Sequence, residues 1–207
     1  MDAATTATAQ ARQLRADELR LANSVLLNAY LDDPFFRAVL PSDDYEQKLR
    51  AALREELQEL WQRQQPLIGI FVGEAMVAVA CLLNEHYPLG QTRFWNWRLK
   101  MALGSGWKPA RQWMAREDAF LDRFNLRHNW LLQFIAVAPA YQRSGFGDLL
   151  LQVLVQHSVE QNISGIATLV YRPELIDWFC RHQFSPVFEV NEAEVVGSVC
   201  VYSGSAV

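Results

Sequence analysis

Gln142, Arg143, Ser144, Gly145, Phe146 and Gly147 constrain what this chain can fold into more than any other stretch. They lie between an apolar run ending at Val137 and a helical pattern that begins near Phe146. Glycines at such a strand-to-helix junction let a ligand approach the backbone, and the unpaired amides of a first helical turn point outward with partial positive charge. The helix continues through Leu150, Leu151, Leu154, Val155 and Val159, giving it an apolar back for a sheet while its first turn stays open. That combination makes a phosphate cradle, although glycines at this spacing also suit a plain tight start to a helix. No Lys followed by Ser or Thr comes after the second glycine, as a nucleoside triphosphate loop requires, and no third glycine stands at dinucleotide spacing. What remains is a pyrophosphate held on backbone amides, without magnesium or hydride chemistry.

The rest of the chain fits a single domain spanning residues 1–207, long enough for a sizeable core. Its 51% hydrophobic content argues against a disordered chain, and a net charge of -4 with no Lys/Arg block argues against a nucleic-acid partner. A basic polymer or an amine suits it better. Cys81, Cys180 and Cys200 lie far apart with no Cys-x-x-Cys pair, which points away from a zinc site or a disulfide framework and toward a reducing cytoplasm. Residues 1–10 are rich in Ala and Thr without a basic start or an apolar centre, so a flexible tail is expected rather than a signal peptide. No apolar run reaches the roughly 18 residues of a membrane helix, so no membrane partner is expected.

Periodicity divides the chain further. Ala11 to Leu14 reads as a first strand, and Asp17 and Glu18 suit the start of a helix striped by Leu19, Ala22, Leu26 and Ala29. Asp32, Asp33 and Pro34 end that helix, and Phe35, Phe36, Val39 and Leu40 form an apolar knot before Pro41. Ser42, Asp43 and Asp44 offer a cap to a helix from Tyr45 to about Gln64. Leu67 to Val72 and Ala75 to Leu83 form a hairpin around Gly73 and Glu74, and the nearly all-apolar second arm is expected to be a central strand.

Residues 85–129 are an unusually long helical insert between the third and fourth strands, divided by Gly104 and Gly106. It carries Trp95, Trp97, Trp107 and Trp113, with Trp130 just after. The insert reads either as a lid or wall of a pocket, or as a packing appendage or homodimer surface. Beyond the motif helix come a strand from Gly165 to Tyr171, a helix from Pro173 to His182, and strands from Phe184 to Val190 and from Glu194 to Tyr202.

From Leu131 to Glu189 the chain resembles the acetyl-CoA-binding half of the GNAT acetyltransferase superfamily. That pattern is a strand closing on an apolar-Ala-Val step, a proline, then Gln/Arg-x-x-Gly-x-Gly/Ala opening a long helix. Here it is Ile135, Ala136 and Val137, then Pro139, Tyr141 and the run from Gln142 to Gly147. The resemblance implies an α/β fold: a twisted mixed sheet of about seven strands, helices on both faces, split where the fourth and fifth strands diverge. It also implies acetyl-CoA as the acetyl donor, with no metal. Ile135, Ala136 and Val137 would line pantetheine, and Gln142, Arg143, Ser144, Gly145, Phe146 and Gly147 would hold the pyrophosphate. The implied reaction is direct attack of a neutral primary amine, on a small molecule or a peptide, on the thioester. A fourth-strand amide near Val137 would stabilise the oxyanion.

The chain departs from the family where a proton donor is needed. Many members carry aromatic-Tyr-x-x-x-Gly-Phe after the fifth strand. Here the run is Trp178, Phe179, Cys180, Arg181, His182, Gln183, Phe184, so phenylalanine replaces tyrosine and Gln183 replaces glycine. Phe179 could pack against the thioester end but could not donate a proton, which leaves Tyr171 or Cys180 for that role. Gln133 on the fourth strand cannot serve as a base. Glu85, at the exit of the central strand beside His86, is the candidate, with His128 as a third choice. Each of these three also reads as an ordinary loop residue. The missing tyrosine keeps a competing possibility open, a domain that binds acyl-CoA without turnover as a sensor or structural partner.

Overall fold

Nine apolar residues in succession, Ala75–Leu83, can be buried only as a strand covered on both faces. In the computed structural model, which describes residues 8–204, they form β3, between β2 (Leu67–Val72) and β4 (Asn129–Val137). With β1 (Ala9–Gln13), β5 (Gly165–Val170), β6 (Phe184–Glu192) and β7 (Val195–Ser203), the sheet has the order β1-β2-β3-β4-β5-β7-β6. Every neighbouring pair is antiparallel except β4 and β5. Val79, Cys81 and Leu83 face the core beneath α1 (Leu19–Tyr30), α2 (Pro34–Val39), α3 (Tyr45–Gln62), α4 (Trp95–Ser105) and α5 (Trp107–Leu121). Ala78, Ala80 and Leu82 face α6 (Phe146–Glu160) and α7 (Pro173–Arg181). This is the mixed sheet flanked by helices that the sequence led us to expect.

Two local expectations need correction. The sheet begins earlier than residue 11, because Ala9 pairs with Val72 and Gln10 with Phe71; the tail expected over residues 1–10 therefore loses its last two residues to β1. Residues 1–7 of that tail lie outside the described residues. The polar β1 is held by its partners: the Arg12 guanidinium covers the Phe71 ring at 3.8 Å and pairs with Glu18 at 2.8 and 2.5 Å. Those hydrogen bonds, more than any other cause, hold the Glu18 carboxyl down to about 2. The second correction concerns the start of α3. Asp44 takes a left-handed conformation there and its side chain caps nothing, whereas Asp33 caps α2 by accepting from the Phe36 amide at 3.2 Å.

Inside the insert, Gly106 (φ 110°) breaks the chain between α4 and α5, while Gly104 lies within α4. Its tryptophans divide. Trp97 and Trp113 point inward and donate to Glu56 of α3 at 2.6 Å and to Glu117 of α5 at 2.8 Å. Between these carboxylates lies the buried Arg93, paired with both and also donating to the Tyr87 hydroxyl at 2.9 Å. Outward, Trp95 (69% exposed), Leu99, Leu103 (80% exposed) and Trp107 make an apolar stripe.

One irregularity opens the sheet. Cys81 faces Phe134 and Leu82 faces Leu132, so Gln133 is the extra residue of a bulge in β4. Bulges bend a strand and end its pairing. The β4–β5 ladder accordingly runs only from Asn129–Gly165 to Leu132–Thr168, and the Thr168 hydroxyl donates to the Leu132 carbonyl at 3.1 Å. Beyond that point the two parallel strands part, with Ile135 and Tyr171 each three residues along their own arm.

Candidate active site

At the mouth of the split the chain passes from β4 through a short 3-10 turn, Pro139–Tyr141, into the glycine loop. Arg143 (φ 61°) and Gly145 (φ 82°) are left-handed on either side of Ser144, an alternation that turns successive amides toward one concavity and forms an anion-binding nest. A side chain at Gly145 would meet nothing within 4 Å, so its glycine answers to backbone conformation rather than to space. No side chain caps α6, and its first turn stays exposed or half-buried. Gly147 has the opposite character. A Cβ there would make ordinary contacts, 3.5 Å from Trp178 and 3.6 Å from Val137. The protein itself does not require a glycine at this place, so the gap it leaves between α6, Val137 and Trp178 is free for a ligand.

The backbone inside the split is exposed to the same gap. The Ala138 amide donates to Val77 of β3 at 2.8 Å, so by antiparallel alternation Ile135 and Val137 turn their polar groups the other way. Side chains cover them. The Tyr30 hydroxyl accepts from the Ile135 amide at 3.2 Å and faces the Ile135 carbonyl at 3.5 Å, while the Gln142 amide donates to the Val137 carbonyl at 3.2 Å. Burial pushes the Tyr30 phenol well above its ordinary range, which keeps it protonated and a donor.

A polar cluster lies on the α5 side of the split. Arg116 of α5, 8% exposed, sits over the rings of Phe35 at 4.4 Å and Trp113 at 5.0 Å and close to Tyr171, with no ion pair of its own among the described residues. Tyr171, 9% exposed and stacked on Phe35 at 5.4 Å, has a buried hydroxyl without a partner. Asp33, 7% exposed, completes the group. Burial raises its carboxyl, against the pull of the Phe36 amide and of the Arg116 charge. Burial likewise raises the Tyr171 phenol, only partly offset by Arg116. Tyr171 is thus a neutral hydrogen-bond donor at working pH, which suits it poorly to give up a proton.

The residues singled out from sequence fall into three groups. Ile135, Ala136, Val137 and the run from Gln142 to Gly147 meet around the split and the nest, and Tyr171 stands across from Ile135. Phe179 does not join them: it is sealed in the core of the second face against Phe184 and Trp178, and its neighbour Trp178 looks over Gly147 instead. Trp178 is anchored there by donating to Asp148 at 2.7 Å. Glu85 also lies elsewhere. Because β3 and β4 are antiparallel, the exit of β3 is the entrance of β4, and Glu85 accepts from the His128 amide at 2.9 Å. His86 and His128 share this end, separated from the cradle by the nine residues of β4, about 30 Å. Tyr30, Asp33, Arg116 and Trp178 were missed. The Asp-Asp-Pro break after α1 carried a signal only in hindsight, since a capping residue and a site residue look alike there. No group of three or more potential metal ligands occurs among the described residues.

The family model for the acetyltransferase (GNAT) family matches residues 30–184, so the chain belongs to the GNAT acetyltransferases. No curated protein matches the sequence. Among solved structures, histone acetyltransferase HPA2 and related acetyltransferase from Corynebacterium glutamicum has a TM-score of 0.70 at 16% identity, over 97% of this chain and 98% of that one. The PaiA N-acetyltransferase from Thermoplasma acidophilum, in complex with coenzyme A, gives 0.62 at 11% identity over 95% and 99% of the two chains. A mosquito arylalkylamine N-acetyltransferase, like 5b, gives 0.63 at 14% over 95% and 100%. At these identities the likeness is one of fold. No helix among the described residues is long and apolar enough to cross a membrane.

Proposed function

We propose that this protein transfers the acetyl group of acetyl-CoA directly to a primary amine. The observation that carries this is the coincidence, at one opening in the sheet, of an anion nest, two backbone positions facing a gap, and a buried polar cluster opposite them. The residues fit the donor. The amides from Arg143 to Gly147 would take the pyrophosphate on oriented dipoles, with the Arg143 charge beside them. Ile135 and Val137 would bond the amide groups of the pantetheine arm, with Ala136 between them and Trp178 replacing Phe179 as the aromatic wall. Bound acetyl-CoA supplies an activated acyl carbon.

On turning away from the Ile135 amide that it accepts from, the Tyr30 hydroxyl would join that amide as a second neutral donor to the thioester oxygen, stabilising the negative charge that develops during attack. The helix α5 forms one wall of the acceptor side through Arg116, and α4 braces it from behind. That role is closer to a fixed wall than to a moving lid. Localisation in the cytoplasm, expected from the scattered cysteines, is part of the same proposal.

Calorimetric titration with acetyl-CoA, followed by thiol release over a panel of amines, tests the proposal. Saturable binding with amine-dependent thiol release supports it. Binding without release for any amine would favour a non-catalytic acyl-CoA sensor, and no binding would defeat both.

A further inference from the structure

Two opposite charges, each more than nine-tenths buried, stand in the cluster opposite Ile135 without bridging one another. A buried guanidinium without a protein acceptor is costly, and so is a buried hydroxyl without a partner. Elsewhere in this molecule the same guanidinium chemistry is fully satisfied: Arg93, more buried than Arg116, pairs with two carboxylates and a hydroxyl. Arg116 and the Tyr171 hydroxyl therefore offer neighbouring donors to an anion with planar, two-point acceptors. Asp33, beside them, has one oxygen on the Phe36 amide and carries the complementary charge for an ammonium.

We infer that the acceptor is an amino acid or a similar small zwitterion, its carboxylate held by Arg116 and Tyr171 and its ammonium by Asp33. This rests on the acetyl transfer proposed above and names its substrate class. A carboxylate fits the fork of an arginine bidentately, and the phenol adds a third donor. Proton transfers follow from the same placement. Asp33 takes one ammonium proton and passes it to solvent, which frees the nitrogen lone pair. The C–N bond then forms as the C–S bond breaks, the electron pair leaves on sulfur, and the second nitrogen proton goes to that thiolate. The raised carboxyl of Asp33 makes it a stronger base than an exposed aspartate.

The test compares matched amines: phenylalanine with phenethylamine, β-alanine with propylamine, and glycine with methylamine, each with saturating acetyl-CoA. The wild-type protein should favour the carboxylated member of at least one pair by about 100-fold in kcat/KM, the scale of charge-assisted hydrogen bonds to a buried site. In Arg116→Gln that ratio should fall toward unity, and in Arg116→Lys, which keeps the charge but not the fork, it should recover in part. Tyr171→Phe should lower it about tenfold. Equal rates or a preference for neutral amines in the wild type would overturn the inference, and so would an unchanged ratio in Arg116→Gln. Coenzyme A titration of the wild type distinguishes the two levels. Failure to bind coenzyme A sinks the function itself, whereas binding with a preference for neutral amines sinks only the substrate class.

Discussion

Neighbouring residues on α5 serve two buried charge clusters that are alike in composition and opposite in state. Glu117 belongs to the first, where Arg93 is surrounded by Glu56, Glu117, Tyr87 and the two indole donors of Trp97 and Trp113. Burial raises the Glu56 carboxyl against the pull of Arg93, whereas Arg93 outweighs burial at Glu117 and holds it down. The cluster fastens the insert to α3. Arg116 belongs to the second, where a guanidinium, a phenol and a carboxylate sit close together with most donors uncommitted. A closed network specifies geometry, and an open one of the same chemistry specifies a ligand.

The contrast can be broken most severely at Arg93. Arg93→Met leaves two buried carboxylates facing each other and should cost about 3–5 kcal/mol of stability, read by denaturant unfolding. If it costs less than about 1 kcal/mol, the closed cluster is not the fastening it looks like. Next in size is Tyr30→Phe, which removes a hydroxyl that accepts from the Ile135 amide and is free to turn to a ligand. Its kcat should fall about 100-fold, while KM for acetyl-CoA does not rise because the Ile135 amide is released.

A smaller effect is expected from Gly147→Ala. Placed in a helix where the protein has room for a Cβ, it should raise stability by about 0.5–1 kcal/mol, yet weaken coenzyme A binding about tenfold by filling the gap beside Val137. Thermal melting and calorimetry read these opposite signs on one variant. The smallest effect is Arg116→Met, which should change stability by less than about 1 kcal/mol, because no ion pair is broken and Asp33 keeps the Phe36 amide. A loss as large as that at Arg93 would erase the distinction between the two clusters.

Much of the fold was legible because its strongest signals are local. The unbroken apolar run of β3, the hairpin at Gly73 and the helix after Gly147 declare themselves without help from distant residues. The turn from Arg143 to Gly145 was legible for the same reason, since it belongs to one contiguous loop. The polar cluster was legible only at Tyr171, because Tyr30, Asp33 and Arg116 lie far from it in sequence and only tertiary packing brings them near. Glu85 misled for a related reason: lying next to a central strand in sequence does not say which end of the neighbouring strand that exit meets. Phe179 and Trp178 differ by one helical step, about 100°, and a motif alignment cannot say which of two aromatics faces the gap.

The parting of β4 from β5 leaves two sheet edges in the interior of the molecule, where an extended peptide could in principle zip in and polymerise the chain. Tyr30 and Gln142 stopper one of them. With their polar atoms already on Ile135 and Val137, a slender ligand can enter by trading one hydrogen bond for another, with no dry, unpaired intermediate to cross. The opening is therefore stoppered without being sealed, by two side chains standing in for a missing strand.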